Sequence, residues 1–308
     1  MPGRRVAALA GLAVALSGCG EAQVSLSPHS ATWTRGASMS LRRSYVAAAE
    51  TGGQIYVAGG MTGETGRPLA TFQRYDPRSD SWATLPQLPE PVRAGKGAAL
   101  DGSIYVVGGT TTGGRGGRQV YAYSLTRRDW QARAPLPQPR FNHAVVASGG
   151  RLWVLGGYWG AREHRDVFVY DPARDRWSRG VPLPRREHAF GAVVFHGRIW
   201  VIGGRRGVRV LRDVWIYDPA AGRWRRGPSL PRPMELLGAA AEGDEIHAVH
   251  ERTYQIYDSS TRRWRVGPSP HIPRHALSLF AVNGALYAVG GCTVDLHDSQ
   301  AVERLALH

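Results

Sequence analysis

Arginine, histidine and glutamate are the side chains of this sequence that could do chemistry, and they recur at related places. Arg43, Arg140 and Arg274 each sit ten residues after a tryptophan, and Glu187 holds that place once. One residue after the same register position come Arg93, His188 and His275. Arg162 and Arg206 lie in turn-like segments just after glycine pairs. A guanidinium grips a carboxylate or phosphate through two parallel hydrogen bonds, so this set predicts a surface for an anionic ligand. His250 and Glu251 form an adjacent pair. They could act as acid and base, or as metal ligands, only if both pointed the same way, and neighbouring strand residues point to opposite faces.

Other chemistry has no footing. The run Gly113-Gly114-Arg115-Gly116-Gly117 has no helix pattern after it and reads as a flexible loop, not a phosphate cradle. There is no HExxH and no GxSxG. Cys19 and Cys292 are too few for a disulfide framework or a cysteine-rich zinc site. The sequence therefore predicts no cofactor, no metal centre and no catalytic residue.

The elements that must position these groups show as a repeat. Tryptophan recurs at Trp33, Trp82, Trp130, Trp177, Trp224 and Trp264. Counting 26 residues forward from each reaches Gly59, Gly108, Gly156, Gly203, His250 and Gly290. Five of these open a pair, completed by Gly60, Gly109, Gly157, Gly204 and Gly291, while His250 is followed by Glu251. Seven residues before five of the tryptophans stand Tyr75, Tyr123, Tyr170, Tyr217 and Tyr257. The segments between are turns such as YDPARDRW, where Asp-Pro suits the first two positions of a type I turn. All length variation falls between the second glycine position and the tyrosine.

This pattern resembles the kelch repeat, over about 275 residues and six copies. The resemblance implies an all-β, six-bladed propeller of four-stranded antiparallel blades. In the third unit, strands a to d are expected at 143–148, 151–155, 167–170 and 176–179. The last unit has Leu305 at the tyrosine position and no tryptophan after it. Trp33 is the orphan at the other end, so its segment should supply strand d of the final blade and close the ring. The d–a and b–c loops should share one face, with Arg and His around a channel mouth. In intracellular kelch adaptors, arginines ten residues after the tryptophan can contact acidic peptides.

The function expected is a binding or scaffolding module for a protein or an anionic glycan. Two enzyme alternatives come from the same resemblance. Six-bladed exported kelch propellers include the sialic acid mutarotases; here Glu187, Glu235 or Glu251 would be the acid/base, and Arg140 or Arg274 would hold the sugar carboxylate. Those enzymes carry long insertions, whereas these units are compact. A galactose-oxidase-like copper site needs a Tyr–Cys crosslink, a second Tyr and two His on seven blades, and Cys292 is the only cysteine within these six units.

Residues 1–18 read as an export signal: Arg4 and Arg5, an apolar stretch too short to span a bilayer, then Leu16-Ser17-Gly18-Cys19. This ending resembles the bacterial lipobox, which implies a lipid on Cys19, a tether over 19–31 and a propeller over 32–308. The expected place is outside the cytoplasm, held by lipid to a bacterial membrane. The formal charge is +15, carried by 38 Arg and one Lys, Lys96. An imbalance that large suits a GC-rich genome better than a nucleic-acid site, and export makes nucleic acid an unsuitable partner. The charge still draws acidic proteins, glycans and lipids. The propeller is expected to be monomeric.

Overall fold

The computed structural model describes residues 32–63, 66–114 and 116–307. The export signal 1–18, the tether 19–31 with Cys19, and Arg115 lie outside the described residues.

Six four-stranded antiparallel sheets follow one another along the chain. The first is Ala47–Thr51, Gln54–Ala58, Phe72–Asp76 and Ser81–Leu85. The third is Ala144–Ser148, Arg151–Leu155, Val167–Asp171 and Arg176–Arg179, within one residue of expectation at every end. The sixth joins Ser278–Val282, Ala285–Val289 and Val302–Ala306 to Thr34–Gly36. Thr34 pairs with Arg304 and Gly36 with Val302, so the two ends of the propeller share one blade.

Residue size follows position in the ring. Strands a, at the axis, read AAAET or GAAAE, because blades converge there. A Cβ on Gly97 would lie 2.6 Å from the Ala48 carbonyl oxygen of the preceding blade. Strands b are β-branched and aromatic and buried almost throughout, as in QIYVA. Strands d, as in RWRR, are mostly exposed at the rim. Apolar clusters fill each gap between blades, including Ile55, Val57 and Tyr75 of the first against Tyr287, Val289 and Val302 of the sixth.

The tyrosine and tryptophan of each of the first five units are cross-strand partners, with ring centroids 4.9–5.5 Å apart, as in Tyr170–Trp177 and Tyr257–Trp264. Every repeat tryptophan then reaches back one blade. Its indole N–H donates to the carbonyl four residues beyond the preceding tryptophan: Trp82 to Ala37, Trp130 to Pro86, Trp177 to Ala134, Trp224 to Val181 and Trp264 to Pro228. Trp33 completes the circuit by donating to Pro268 at 2.8 Å.

The glycine pairs are required twice over. All ten glycines have left-handed φ. A Cβ on Gly59 would also sit 2.4 Å from the Val92 carbonyl oxygen, and one on Gly203 would sit 2.4 Å from that of Met234. The same carbonyl accepts from the second glycine, as Gly60 N–H to Val92 O at 2.8 Å.

Candidate functional site

The two loop types do share one face, and a repeated contact pins them together. In five of the six units the residue eleven after the tryptophan bridges to the residue after the glycine pair: Ser44 to Met61, Arg93 to Thr110, Phe141 to Tyr158, His188 to Arg205, and His275 to Cys292. The next residue is left-handed in all six units: Tyr45, Ala94, Asn142, Ala189, Leu236 and Ala276. Backbone bonds run from blade to blade there, with Ala189 N–H to Asn142 O, Leu236 to Ala189 and Ala276 to Leu236. This collar sets the mouth of the central channel.

The three arginines expected to meet a ligand are instead built into the blades. Arg43 is fully buried and donates to Gln73 and to the Gly59 and Thr71 carbonyls. Arg274 donates to the Ala288, Gly290 and Ala301 carbonyls and pairs with buried Glu303 at 2.8 Å. Arg140 meets Gln138, the Pro139 carbonyl and Asp166, and lies over the Phe168 ring. The cause is local: ten residues after the tryptophan, the side chain points into its own blade, where strand-end carbonyls meet Arg43 and Arg274 and side chains meet Arg140. Glu187 holds that position in the fourth blade. It is buried, and neither carboxyl oxygen has a hydrogen-bond partner. Burial, with the Asp213 charge next, raises its carboxyl to about 7. Arg93 is also committed, to Thr110 and the Gly66 carbonyl.

An open cleft of about 520 Å³ lies between the rim hairpins of the third and fourth blades. The first hairpin pairs Tyr158–Trp159 with Arg162–Glu163; the second pairs Arg205–Arg206 with Arg209–Val210. Arg162, Arg186, Arg205 and His188 line the cleft with Tyr158 and Glu163. Arg205 Nε is 2.6 Å from Glu235. Glu163 stands 3.6 Å from His188 Nδ1 and accepts the Gly207 N–H. Burial lowers His188 against the pull of Glu163, so the imidazole is neutral at pH 7. Arg162 and Arg186 are exposed, and among the described residues no carboxylate lies within 4.0 Å of either. Guanidiniums that line a cleft together with a neutral imidazole can hold a carboxylate, a single guanidinium in bidentate fashion and the imidazole through one hydrogen bond.

In the fifth blade, strands b and c join through a two-residue turn, His250 pairing with Thr253, so the rim hairpin is missing. Glu251 takes left-handed φ, which breaks the strand alternation and turns its side chain back. Its carboxylate lies 3.8 Å from His250 Nε2 and 3.9 Å from His275 Nδ1. The Glu251 amide still donates to the Arg274 carbonyl, as a glycine does in other blades. The pair thus does face one side, which strand alternation alone would forbid. The described residues hold no group of three or more His, Cys, Asp or Glu arranged for a metal ion.

The structure brings Arg162, His188 and, at the second hairpin, Arg206 to one region, and His250, Glu251 and His275 to another. Arg43, Arg140, Arg274 and Glu187 join neither. Sequence reasoning missed Tyr158, Glu163 and Arg186. Tyr158 could have been found, since the residue after a glycine pair always bridges to the mouth position.

A family model described as the KLHDC2/KLHL20/DRC7 Kelch-repeats domain matches residues 45–249. Beta-scruin of Limulus polyphemus is 30% identical over 131 residues, covering 41% of this chain and 14% of that protein. Kelch-like protein 35 of Mus musculus is 32% identical over 131 residues, covering 42% and 22%. The chain spans less than a quarter of the length of these curated relatives. The solved structure of YjhT matches in fold, with a TM-score of 0.76 at 14% identity over 86% of this chain and 95% of that one.

Proposed function

This chain belongs to the kelch-repeat family, and on that premise we propose that it is a docking module whose loop face holds an acidic segment of a partner protein. One observation carries this reading: Arg162 and Arg186 stand exposed at one cleft with no carboxylate within 4.0 Å among the described residues. An acidic glycan is the other anionic ligand the same chemistry would take. A photo-crosslinker at Gly160, on the exposed tip of the first hairpin, tests the proposal in cells. The expected result is a protein adduct that disappears in the Arg162→Glu, Arg186→Glu double variant. An adduct pattern that survives the double charge reversal would sink the cleft as the docking site.

We further propose that a lipid on Cys19 holds the propeller at a membrane. Dual or triple acylation at one residue gives stable anchoring. Cys19→Ser should move the protein from the membrane to the soluble fraction, and unchanged retention would overturn the anchor.

The Glu251 carboxylate between His250 and His275 favours a second reading, acid–base work on an acidic sugar. It predicts faster interconversion of sialic acid anomers, followed by NMR, and loss of that acceleration in Glu251→Gln.

A further inference from the structure

On the face away from the channel mouth, a second cleft of about 510 Å³ opens between the fourth and fifth blades. The a–b turn of the fourth blade, between Gly191–Phe195 and Arg198–Ile202, forms one side. The c–d turn of the fifth, between Thr253–Asp258 and Arg263–Val266, forms the other. Nothing in the docking reading uses it.

Other blades show what the equivalent place holds. In the first blade the Tyr75 hydroxyl donates to Asp80, five residues on, at 2.5 Å. The Ala37 amide of the preceding blade donates to the same oxygen at 2.7 Å. The third blade repeats this: Tyr170 and the Ala134 amide donate to Asp175 Oδ1 at 2.5 and 2.9 Å. A carboxylate therefore sits where a tyrosine hydroxyl and a donor of the preceding blade converge. The fifth blade has Tyr257 but not the carboxylate. Arg262 stands five residues after it, in the same left-handed conformation as Asp80 and Asp175. The residue matching Ala37 and Ala134 is Pro228, which has no N–H. The preceding blade instead brings a guanidinium, Arg225, one residue after Trp224.

Tyr257, Arg225 and Arg262 all line the cleft. Both guanidinium charges are felt at the Tyr257 hydroxyl, although burial dominates and raises it. Both arginines are exposed, and among the described residues no carboxylate lies within 4.0 Å of either. The carboxylates nearby are engaged. Asp218 accepts from Arg198 at 2.9 Å, Asp258 caps its own turn through Ser260 and Thr261, and Asp244 lies 3.2 Å from His196. In the cleft wall, the indole N–H of Trp200 is buried and has no partner. The second blade has Arg128 five residues after Tyr123, but Ala83 stands where Arg225 does. Among the five units with a tyrosine, only the fifth sets an arginine on both sides of the gap.

We propose that this cleft binds a small dicarboxylate. One carboxylate takes the place that Asp80 and Asp175 fill in their blades, accepting from the Tyr257 hydroxyl and one guanidinium. The other guanidinium grips the second carboxylate through its planar fork.

Calorimetric titration of the full-length chain with succinate tests the site, and saturable binding is the expected result. Arg262→Asp rebuilds the carboxylate of the first and third blades in a turn conformation that Asp already adopts there. It should fold like the parent and weaken succinate at least about tenfold. Arg225→Gln leaves the turn untouched and should weaken it to a similar extent. Arg128→Asp makes the same charge change in the second blade and should leave the affinity within about twofold. Dimethyl succinate, which carries no charge, should not bind. Absence of saturable succinate binding up to about 10 mM overturns the proposal. So does an affinity that survives Arg225→Gln and Arg262→Asp, or one that falls equally in Arg128→Asp, because succinate would then be answering net charge or another site. Equal binding of dimethyl succinate overturns it as well.

Discussion

At the outer belt, six indoles each donate to the carbonyl four residues beyond the previous tryptophan, Trp33 to Pro268 included. At the channel mouth, the residues eleven after the same tryptophans are Ser44, Arg93, Phe141, His188, Glu235 and His275. One ring repeats a single solution; the other uses side chains of five different types at its six places. Closing a ring of blades demands the same step at every gap, so a belt position that drifts opens a seam. The mouth is held by its backbone, through bridges and left-handed turns that any side chain can accompany. Its side chains therefore differ from blade to blade, and His188 is one that lines an open cleft.

The first way to break this contrast is at the seam. Trp33 is 1% exposed and supplies the last indole of the belt. Trp33→Ala should cost about 3–5 kcal/mol in denaturant unfolding, while a refolded fraction keeps its ligand-binding behaviour. A loss under about 1 kcal/mol would mean the belt does not close the ring.

Next is Arg274→Met, which keeps the length but leaves Glu303 charged in the sixth blade without its 2.8 Å partner. The expected loss is about 3 kcal/mol. A loss confined to binding would return Arg274 to the ligand.

Glu187 sharpens the comparison by pH. Its carboxyl rises from 4.5 to about 7 in the folded chain, so the native state holds a proton that the unfolded chain has released. Stability contributed by the neutral form is complete below about pH 4.5, falls as pH rises, and is gone above about 7. Glu187→Gln should match the wild type near pH 4 and exceed it by on the order of 1–3 kcal/mol above pH 7. A gain that does not grow across that window would contradict a buried, unpaired carboxyl.

The smallest stability effect belongs to the cleft. Arg162→Ala with Arg186→Ala should change unfolding free energy by no more than about 0.5 kcal/mol per site. The same pair should abolish crosslinking from Gly160. A large stability loss here would make the cleft part of the frame.

Much of this was legible in the chain alone. The constant interval from Trp33 to Gly59, and its five echoes, set blade number and strand order, because strand and turn lengths in a closed ring cannot vary between the belt and the glycine turns. Leu305 without a tryptophan after it, and Trp33 without a unit before it, specified the seam. The register also identified which residues reach the mouth. It could not say which way a side chain turns at a given place. Arg43, Arg140 and Arg274 occupy one register position and all turn inward, Arg43 and Arg274 to converging carbonyls within the blade and Arg140 to Gln138, Asp166 and the Phe168 ring. Tyr158, on the first hairpin, and Arg186, on the d–a loop into the fourth blade, line one cleft only because those blades stand side by side. Glu251 faces His250 only because a two-residue turn forces it into left-handed φ. Spacing along the chain determines what local geometry repeats; direction and company of side chains depend on contacts between blades, which exist only once the ring has closed.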